Sequence, residues 1–131
     1  MCEICAELHS VFNKLERFVF PFEVSKIPRN GIYVLFESGE NAHGVDRIVR
    51  IGTHTGENQL RSRLKQHYIN ENKDRSIFRK NIGRAILNRE SDQFLKQWNW
   101  DLTTRRAKDR YGHFVDWGKQ EEVEKKVSAY I

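Results

Sequence analysis

The chain has 131 residues, a formal net charge of +5 and a pI near 9.4, which leaves room for one domain with a single modest core. Three Trp, four Tyr and eight Phe within a 38% hydrophobic composition exclude a disordered chain. No apolar run reaches the roughly 18 residues of a membrane span, and MCEIC lacks the basic start of a signal peptide, so we expect a cytoplasmic protein with no membrane partner.

The first 28 residues predict an N-terminal helix and a connector. Apolar side chains recur there at helical spacing, at Ile4, Leu8, Val11, Leu15 and Phe18. Pro21 is expected to end the helix. Cys2 and Cys5 form a single CxxC with no second pair to complete a zinc site, so we interpret them as ordinary helical cysteines in a reducing compartment.

Two strands follow, at residues 31–37 (GIYVLFE) and about 45–52 (VDRIVRIG). The polar, glycine-containing segment between them predicts a loop, and the pair reads as an antiparallel hairpin.

The pattern then changes to helical periodicity. A helix is predicted from about 57 to 70, with Leu60, Leu64 and His67 in its apolar stripe and Arg63 at the border of that stripe. Further helices are predicted from a cap at Ser76 or Asp74 through Leu87, over 91–98, and from about 119 to 131. The pattern of residues 99–118 does not predict a single type of secondary structure, although it allows some strand there. The last helix reaches Ile131 without a cap, which is typical of a fragment.

Basic charge is concentrated in the middle third of the chain. Between Arg47 and Arg89 there are eleven Lys or Arg against three acids, an excess of +8. Such a segment predicts a polyanionic partner, and the alternative is a solvated helical surface.

Four motifs in order carry a resemblance to a known family. GIY at 31–33, RIG at 50–52, Arg63-x-x-x-His67 and a late helical glutamate resemble the GIY-YIG nuclease superfamily over residues 29–131. The segments IVRIGTH, SRLKQH, SIFRKNIGRAIL and VEKKVSAYI are similar to its small bacterial stand-alone proteins. The resemblance implies an α/β (α+β) fold with a small, mostly antiparallel central sheet of about three strands flanked by helices. It also implies a phosphodiesterase that acts on DNA with one Mg²⁺ or Mn²⁺ ion.

The resemblance assigns roles residue by residue. Tyr33 matches the tyrosine of GIY and would act as a proton shuttle, while Arg63 matches the catalytic arginine and would clamp the phosphate. His67 matches the histidine one turn later, and the alternative for it is a satisfied core histidine. Arg50 stands where the family often has a second tyrosine; a guanidinium stays protonated and cannot accept a proton, but it can bind phosphate.

Three glutamates compete as the metal ligand. On a helical wheel, Glu124 lies at the margin of the buried stripe, whereas Glu121 and Glu122 point toward solvent and have lysines four residues later. Glu124 is therefore the predicted ligand, and the resemblance selects the same residue.

Basic side chains and one histidine are predicted to contact DNA: His54, Arg61, Lys65, Arg79, Lys80 and Arg84. Two other functions stay open. One is an inactive nucleic-acid-binding module of the same fold, for which Arg50 is the argument. The other is a protein-interaction domain whose basic helices face solvent. The oligomeric state is not predicted.

Overall fold

The computed structural model describes residues 2–131, which form six α-helices, one short 3₁₀ turn and one sheet. In chain order the elements are α1 (Glu3–Asn13), the 3₁₀ turn (Val24–Lys26), β1 (Tyr33–Ala42), β2 (Val45–Gly52), α2 (Leu60–Tyr68), α3 (Ile77–Arg89), α4 (Leu95–Trp98), α5 (Arg105–Tyr111) and α6 (Trp117–Tyr130). The predicted mixed α/β class is confirmed. The chain divides into two compact units, one up to Arg63 and one from Leu64 onward.

The sheet is smaller than predicted. Within residues 2–131 it consists of β1 and β2 alone, paired antiparallel, so the expectation of about three strands was wrong. β1 runs on to Ala42, which reduces the predicted loop to a turn at His43 and Gly44, both at positive φ. Residues 99–118, where a strand was thought possible, instead contain α5, whose N-cap Thr104 accepts a hydrogen bond from the backbone N–H of Ala107.

Helix α1 packs against the hairpin within the first unit. The side chain of Asn13, the last residue of α1, donates to the carbonyl of Asp46 at 3.0 Å and accepts from its N–H at 3.2 Å. The helix ends there, well before Pro21, which was expected to end it. Several residues of the predicted stripe are solvent-exposed, namely Ile4, Leu8, Val11 and Leu15. Cys2 caps the helix, because its Sγ accepts from the N–H of Cys5. A hydrogen bond with the Cys5 side chain, followed by this one from its backbone, lowers the pKa of the Cys2 thiol.

The core of the second unit lies among α3, α4 and α6. Its buried members are Ile86, Leu87, Phe94, Trp98, Val123 and Val127. Gly83 permits this packing, because any side chain at that position would overlap the Trp98 indole. The indole N–H in turn donates to the carbonyl of Lys80 at 2.9 Å.

Apart from α1, the helix boundaries differ from the prediction by no more than a few residues. Of the helix predicted over 91–98, only the second half is helical, as α4 from Leu95. The predicted Ser76 cap is confirmed, since its Oγ accepts from the N–H of Arg79 at 3.2 Å. α6 begins two residues before the predicted start, after Asp116, whose carboxylate accepts from the N–H of Lys119. No helix among residues 2–131 has the length and apolar character needed to cross a membrane.

Candidate active site

Tyr33 and Gly52 face each other at one end of the hairpin. They are partners in the β1–β2 register, Tyr33 at the start of one strand and Gly52 at the end of the other. A Cβ atom on Gly52 would overlap the Tyr33 ring and hydroxyl, so the ring lies directly against the glycine backbone. The two motifs GIY and RIG are thus joined by one contact, which only glycine permits.

Arg50 lies on the same face of the hairpin as Tyr33. It pairs with Leu35, two positions along each strand from the Tyr33–Gly52 pair, and alternate residues of a strand point to one face. Diagonal neighbours of this kind are within reach of long side chains. The structure therefore brings these two predicted site residues to one face of the hairpin, where Tyr33 is buried and Arg50 is half-buried.

His54 connects the end of β2 to the turn before β1. Its Nε2 accepts from the N–H of Gly31 at 3.2 Å, and its Nδ1 is 2.9 Å from the carbonyl oxygen of Gly56. Thr53 adds a hydrogen bond from its hydroxyl to the carbonyl of Gly31 at 3.1 Å. Because both ring nitrogens of His54 are engaged with the backbone, the residue holds the turn beside Tyr33 and has no free ring nitrogen for DNA.

The first turn of α2 is tied to the connector before the hairpin. The N–H of Leu60 donates to the carbonyl of Arg29 at 3.0 Å. Arg61 donates from Nε to the carbonyl of Ile27 and from Nη2 to that of Ser25, at 2.6 and 2.8 Å. Arg63 follows in the same helix and is half-buried. Arg61 is thus bound to the protein, and Arg63 belongs to the same compact unit as the hairpin.

His67 is fully buried in the second unit. Its Nδ1 lies 2.6 Å from the Oγ of Ser76, and its ring meets that of Phe78 edge-to-face at 5.5 Å between centroids. Its carbonyl accepts from Arg79 Nη1 at 3.3 Å. This environment favours the alternative of a hydrogen-bonded core histidine that positions α2 against the start of α3.

Arg79 and Glu124 form a buried ion pair between α3 and α6. Arg79 is fully buried and donates from Nε to Glu124 Oε2 at 2.9 Å, while its Nη2 lies 2.9 Å from the same oxygen. Nη2 also donates to the Glu124 carbonyl and to Ser128 Oγ, both at 2.8 Å. Glu124 Oε1 accepts from the N–H of Lys73. The guanidinium therefore joins α3 to α6, and burial excludes it from contact with DNA.

The Glu124 carboxyl is 3% exposed, and burial raises its pKa, an effect that the Arg79 guanidinium only partly offsets. The local positive charge therefore does not fully compensate the buried carboxylate. A carboxylate has about four lone-pair positions, and the N–H of Lys73 and the Nε of Arg79 use two of them here. Glu124 thus retains acceptor positions that a metal ion can use. Among residues 2–131 no cluster of three or more His, Cys, Asp or Glu side chains could hold an ion by itself.

Other predicted DNA contacts are also occupied by protein partners. Lys80 is 9% exposed, and burial followed by repulsion from Lys73 lowers the pKa of its amine. Arg84 donates to the side-chain oxygens of Asn99 and Asn81, at 2.6 and 2.9 Å. Lys65, by contrast, is solvent-exposed. Of the lysines predicted to contact DNA, the one on α2 therefore reaches the surface and the one on α3 is buried.

Two features were not predicted from the sequence. Lys73 is buried, and its ammonium donates to Asp74 Oδ1 at 2.8 Å and to the Trp100 carbonyl at 2.7 Å. No sequence pattern distinguishes this lysine from a surface one. The second feature is the basic helix α5, which has four Arg or Lys within its seven residues. This density of basic residues is visible in the sequence.

Comparison with known proteins agrees with the order of the motifs. The profile of the GIY-YIG domain family matches residues 3–131, nearly the whole chain. Curated proteins and solved structures give no significant match. The match includes α1 as well as the hairpin and the helices that follow it. The chain therefore belongs to the GIY-YIG family, whose domain is of the nuclease type.

Proposed function

We propose that this protein is a metal-dependent endonuclease that hydrolyses phosphodiester bonds of DNA. Membership of a family whose proteins are generally endonucleases supports the reaction class. The observation that carries the proposal is the Tyr33 ring held against Gly52, with Arg50 on the same face of the hairpin. A phenol and a guanidinium on one face of the hairpin can serve proton transfer and phosphate binding together.

Tyr33 is proposed to accept the proton of the attacking water. Water forms the new bond to phosphorus, the bond to the 3′ oxygen breaks, and that oxygen takes a proton from solvent. A phenol must lose its own proton to act as the base, and a nearby cation favours the phenolate. Arg50, on the same face as Tyr33, is the cation that the hairpin supplies.

Arg63 is proposed to bind the nonbridging oxygens of the scissile phosphate. A guanidinium presents a planar pair of donors that matches two phosphate oxygens, so it stabilises the charge that builds up during the attack. His67 is proposed to act indirectly: its bond to Ser76 Oγ fixes the second half of α2, the helix that begins three residues before Arg63. Lys65 is the predicted DNA contact on α2 that is exposed.

A divalent ion is expected because proteins of this family typically use one. Glu124 is its proposed ligand, through lone-pair positions that its two protein donors leave. When bound, such an ion would supply positive charge to the phosphate and favour deprotonation of water. Mg²⁺ or Mn²⁺ suits a site with one carboxylate, because water and phosphate oxygens complete the shell.

An inactive nucleic-acid-binding module is the alternative function. Arg50 favours it, because a protonated guanidinium cannot replace a second tyrosine in proton transfer. The half-buried position of Arg50 on the Tyr33 face suits phosphate binding in either case.

Cleavage of supercoiled plasmid separates the two functions. The parent protein is incubated with plasmid and Mg²⁺ or Mn²⁺, with EDTA as the metal-free control, and nicked and linear products are quantified. Tyr33→Phe, purified identically, keeps the ring that packs on Gly52 and removes only the hydroxyl. We expect nicking by the parent and none by Tyr33→Phe. Equal activity of the two proteins would refute the role of the hydroxyl, and no activity in the parent would favour the binding module.

A further inference from the structure

Helix α5 presents a dense basic surface. Arg105, Arg106, Lys108 and Arg110 are all solvent-exposed, with Asp109 as the single acid among them. At 100° per residue, these side chains spread over about 200° of the helix circumference. The opposite side carries Ala107 and Tyr111, and the Tyr111 ring stacks on that of Trp100 at 5.2 Å between centroids. The helix is thus attached through one side and displays its cations on the other.

These cations are not neutralised by the protein. Within residues 2–131, none of the four forms a salt bridge, whereas exposed cations elsewhere do, such as Lys125 with Glu121 and Arg47 with Glu40. Arg105, Arg106 and Arg110 line a shallow open depression with Asp109. Four adjacent cations with a single acid repel one another, so an anion bound there would relieve this repulsion.

Two exposed aromatic rings lie at the C-terminal end of α5. Phe114 is 70% exposed, and its N–H donates to the carbonyl of Tyr111 at 2.9 Å. Trp117 is 53% exposed, and its indole N–H donates to the carbonyl of Gly112 at 3.1 Å. Arg110 lies over the Tyr111 ring at 5.2 Å from its centroid. The exposed aromatic residues therefore directly follow the cationic helix and are held to its last turn by hydrogen bonds.

A surface of this composition suits one class of ligand. Phosphates attract the guanidinium groups, and aromatic rings stack on bases whose faces are exposed, which happens in single strands and not inside a duplex. We infer that α5, Phe114 and Trp117 form a binding surface for an unpaired stretch of DNA. This inference rests on the proposed nuclease function and specifies its substrate class, DNA that contains a single-stranded segment.

The inference is tested by binding in EDTA, where metal-dependent cleavage does not interfere. A fluorescein-labelled 20-nucleotide single strand and the duplex of the same sequence are titrated with protein at several salt concentrations. The variant Arg105→Gln/Arg106→Gln/Arg110→Gln removes three cations of the surface. We expect about tenfold weaker single-strand binding near 0.1 M salt. The slope of log K against log salt should fall by about 2, because each phosphate that a cation neutralises on a single strand adds about 0.7 to that slope.

A matched control separates local from overall charge. Lys26→Gln/Arg47→Gln/Lys125→Gln lowers the net charge by the same amount, at exposed positions already paired with Glu23, Glu40 and Glu121. We expect this control to bind within about twofold of the parent. Equal weakening in the two triple variants would overturn the inference, as would a weakening of less than twofold in the α5 variant.

The aromatic part is tested with Phe114→Ala. Its high exposure means that the substitution removes little packing, so the fold should be unaffected. We expect about five- to tenfold weaker binding to the single strand and no change with the duplex. Equal weakening on both ligands would contradict recognition of unpaired bases. If the parent fails to nick plasmid but these binding results hold, the nuclease proposal fails alone; if it nicks plasmid and they do not hold, the α5 inference fails alone.

Discussion

The hairpin unit and the helical unit place their arginine side chains in different environments. In the hairpin unit, Tyr33 and Arg50 lie on one strand face and the neighbouring backbone is held by His54. In the helical unit, Arg79 and Glu124 are buried and bonded to each other. The difference shows that the type of a charged residue does not determine its role. One arginine, Arg79, joins two helices, whereas another, Arg50, lies on a strand face.

The same contrast applies to the basic charge of the chain. The segment from Arg47 to Arg89 carries an excess of eight positive charges, yet Lys73 and Arg79 within it are buried and bonded to protein groups. Helix α5 lies outside that segment and exposes its cations. The net charge of a long segment therefore does not report which of its cations reach the surface.

The largest effect is expected from Arg79→Ala, which breaks the ion pair of the helical unit. The substitution leaves the buried Glu124 carboxylate without its counter-ion, and we expect a loss of about 3–5 kcal/mol in the free energy of unfolding at pH 7. Urea denaturation measures it. Arg89→Ala, at the exposed end of α3, serves as the control with an expected change within about 0.5 kcal/mol.

The loss in the free energy of unfolding caused by Arg79→Ala, called the deficit below, should also depend on pH. Burial already raises the pKa of Glu124 above the ordinary carboxyl value of 4.5, and loss of the guanidinium raises it further. A carboxyl whose pKa is higher in the folded than in the unfolded protein stabilises the fold at pH values below the unfolded-state pKa. That stabilisation is lost as the pH rises through the folded-state pKa. The deficit should therefore shrink as the pH falls from 7 toward 5, and a deficit that is constant over this range would contradict an ionised Glu124 in the pair.

Glu124→Gln tests whether the buried carboxylate also serves catalysis. The substitution leaves the fully buried Arg79 guanidinium without its counter-ion, so we expect a melting temperature below that of the parent, and cleavage is compared at a temperature at which circular dichroism shows both proteins folded. On the proposal that Glu124 holds the ion, plasmid cleavage should fall by about 10²- to 10³-fold and Mn²⁺ binding should weaken in calorimetry. Glu122→Gln, at an exposed position paired with Lys119 and Lys126, should behave as the parent. Cleavage retained in Glu124→Gln would limit this residue to the ion pair.

Arg63→Ala tests the hairpin unit. The side chain borders the apolar stripe of α2 without filling it, so we expect the fold to persist, as judged by circular dichroism. Loss of the phosphate clamp should lower the cleavage rate by about 10²-fold. Lys65→Ala, two residues later and exposed, provides the comparison and should reduce the rate far less. A variant at position 63 that cleaves within threefold of the parent would remove Arg63 from the site.

The local elements were largely predictable from the sequence. Two apolar runs separated by a polar, glycine-containing segment located the hairpin, and the helical period and the Ser76 hydroxyl located α2 and α3. These signals are local, because hydrogen bonds and side-chain direction along one element depend on neighbours a few residues away. The order of GIY, RIG and the Arg63–His67 pair likewise identified the family that the profile match shows.

Only the tertiary structure decided which polar residues are buried and with whom they pair. Arg79 meets Glu124 across 45 positions of sequence, and Lys73 reaches the Trp100 carbonyl across 27. Such contacts depend on how α3 and α6 pack, which no local period encodes. The same holds for α1, whose regularly spaced apolar residues are exposed, whereas its polar residues Asn13 and His9 contact the hairpin. Sequence specified the elements and the motif order, whereas long-range packing determined which charged side chains are buried in ion pairs and which reach the surface.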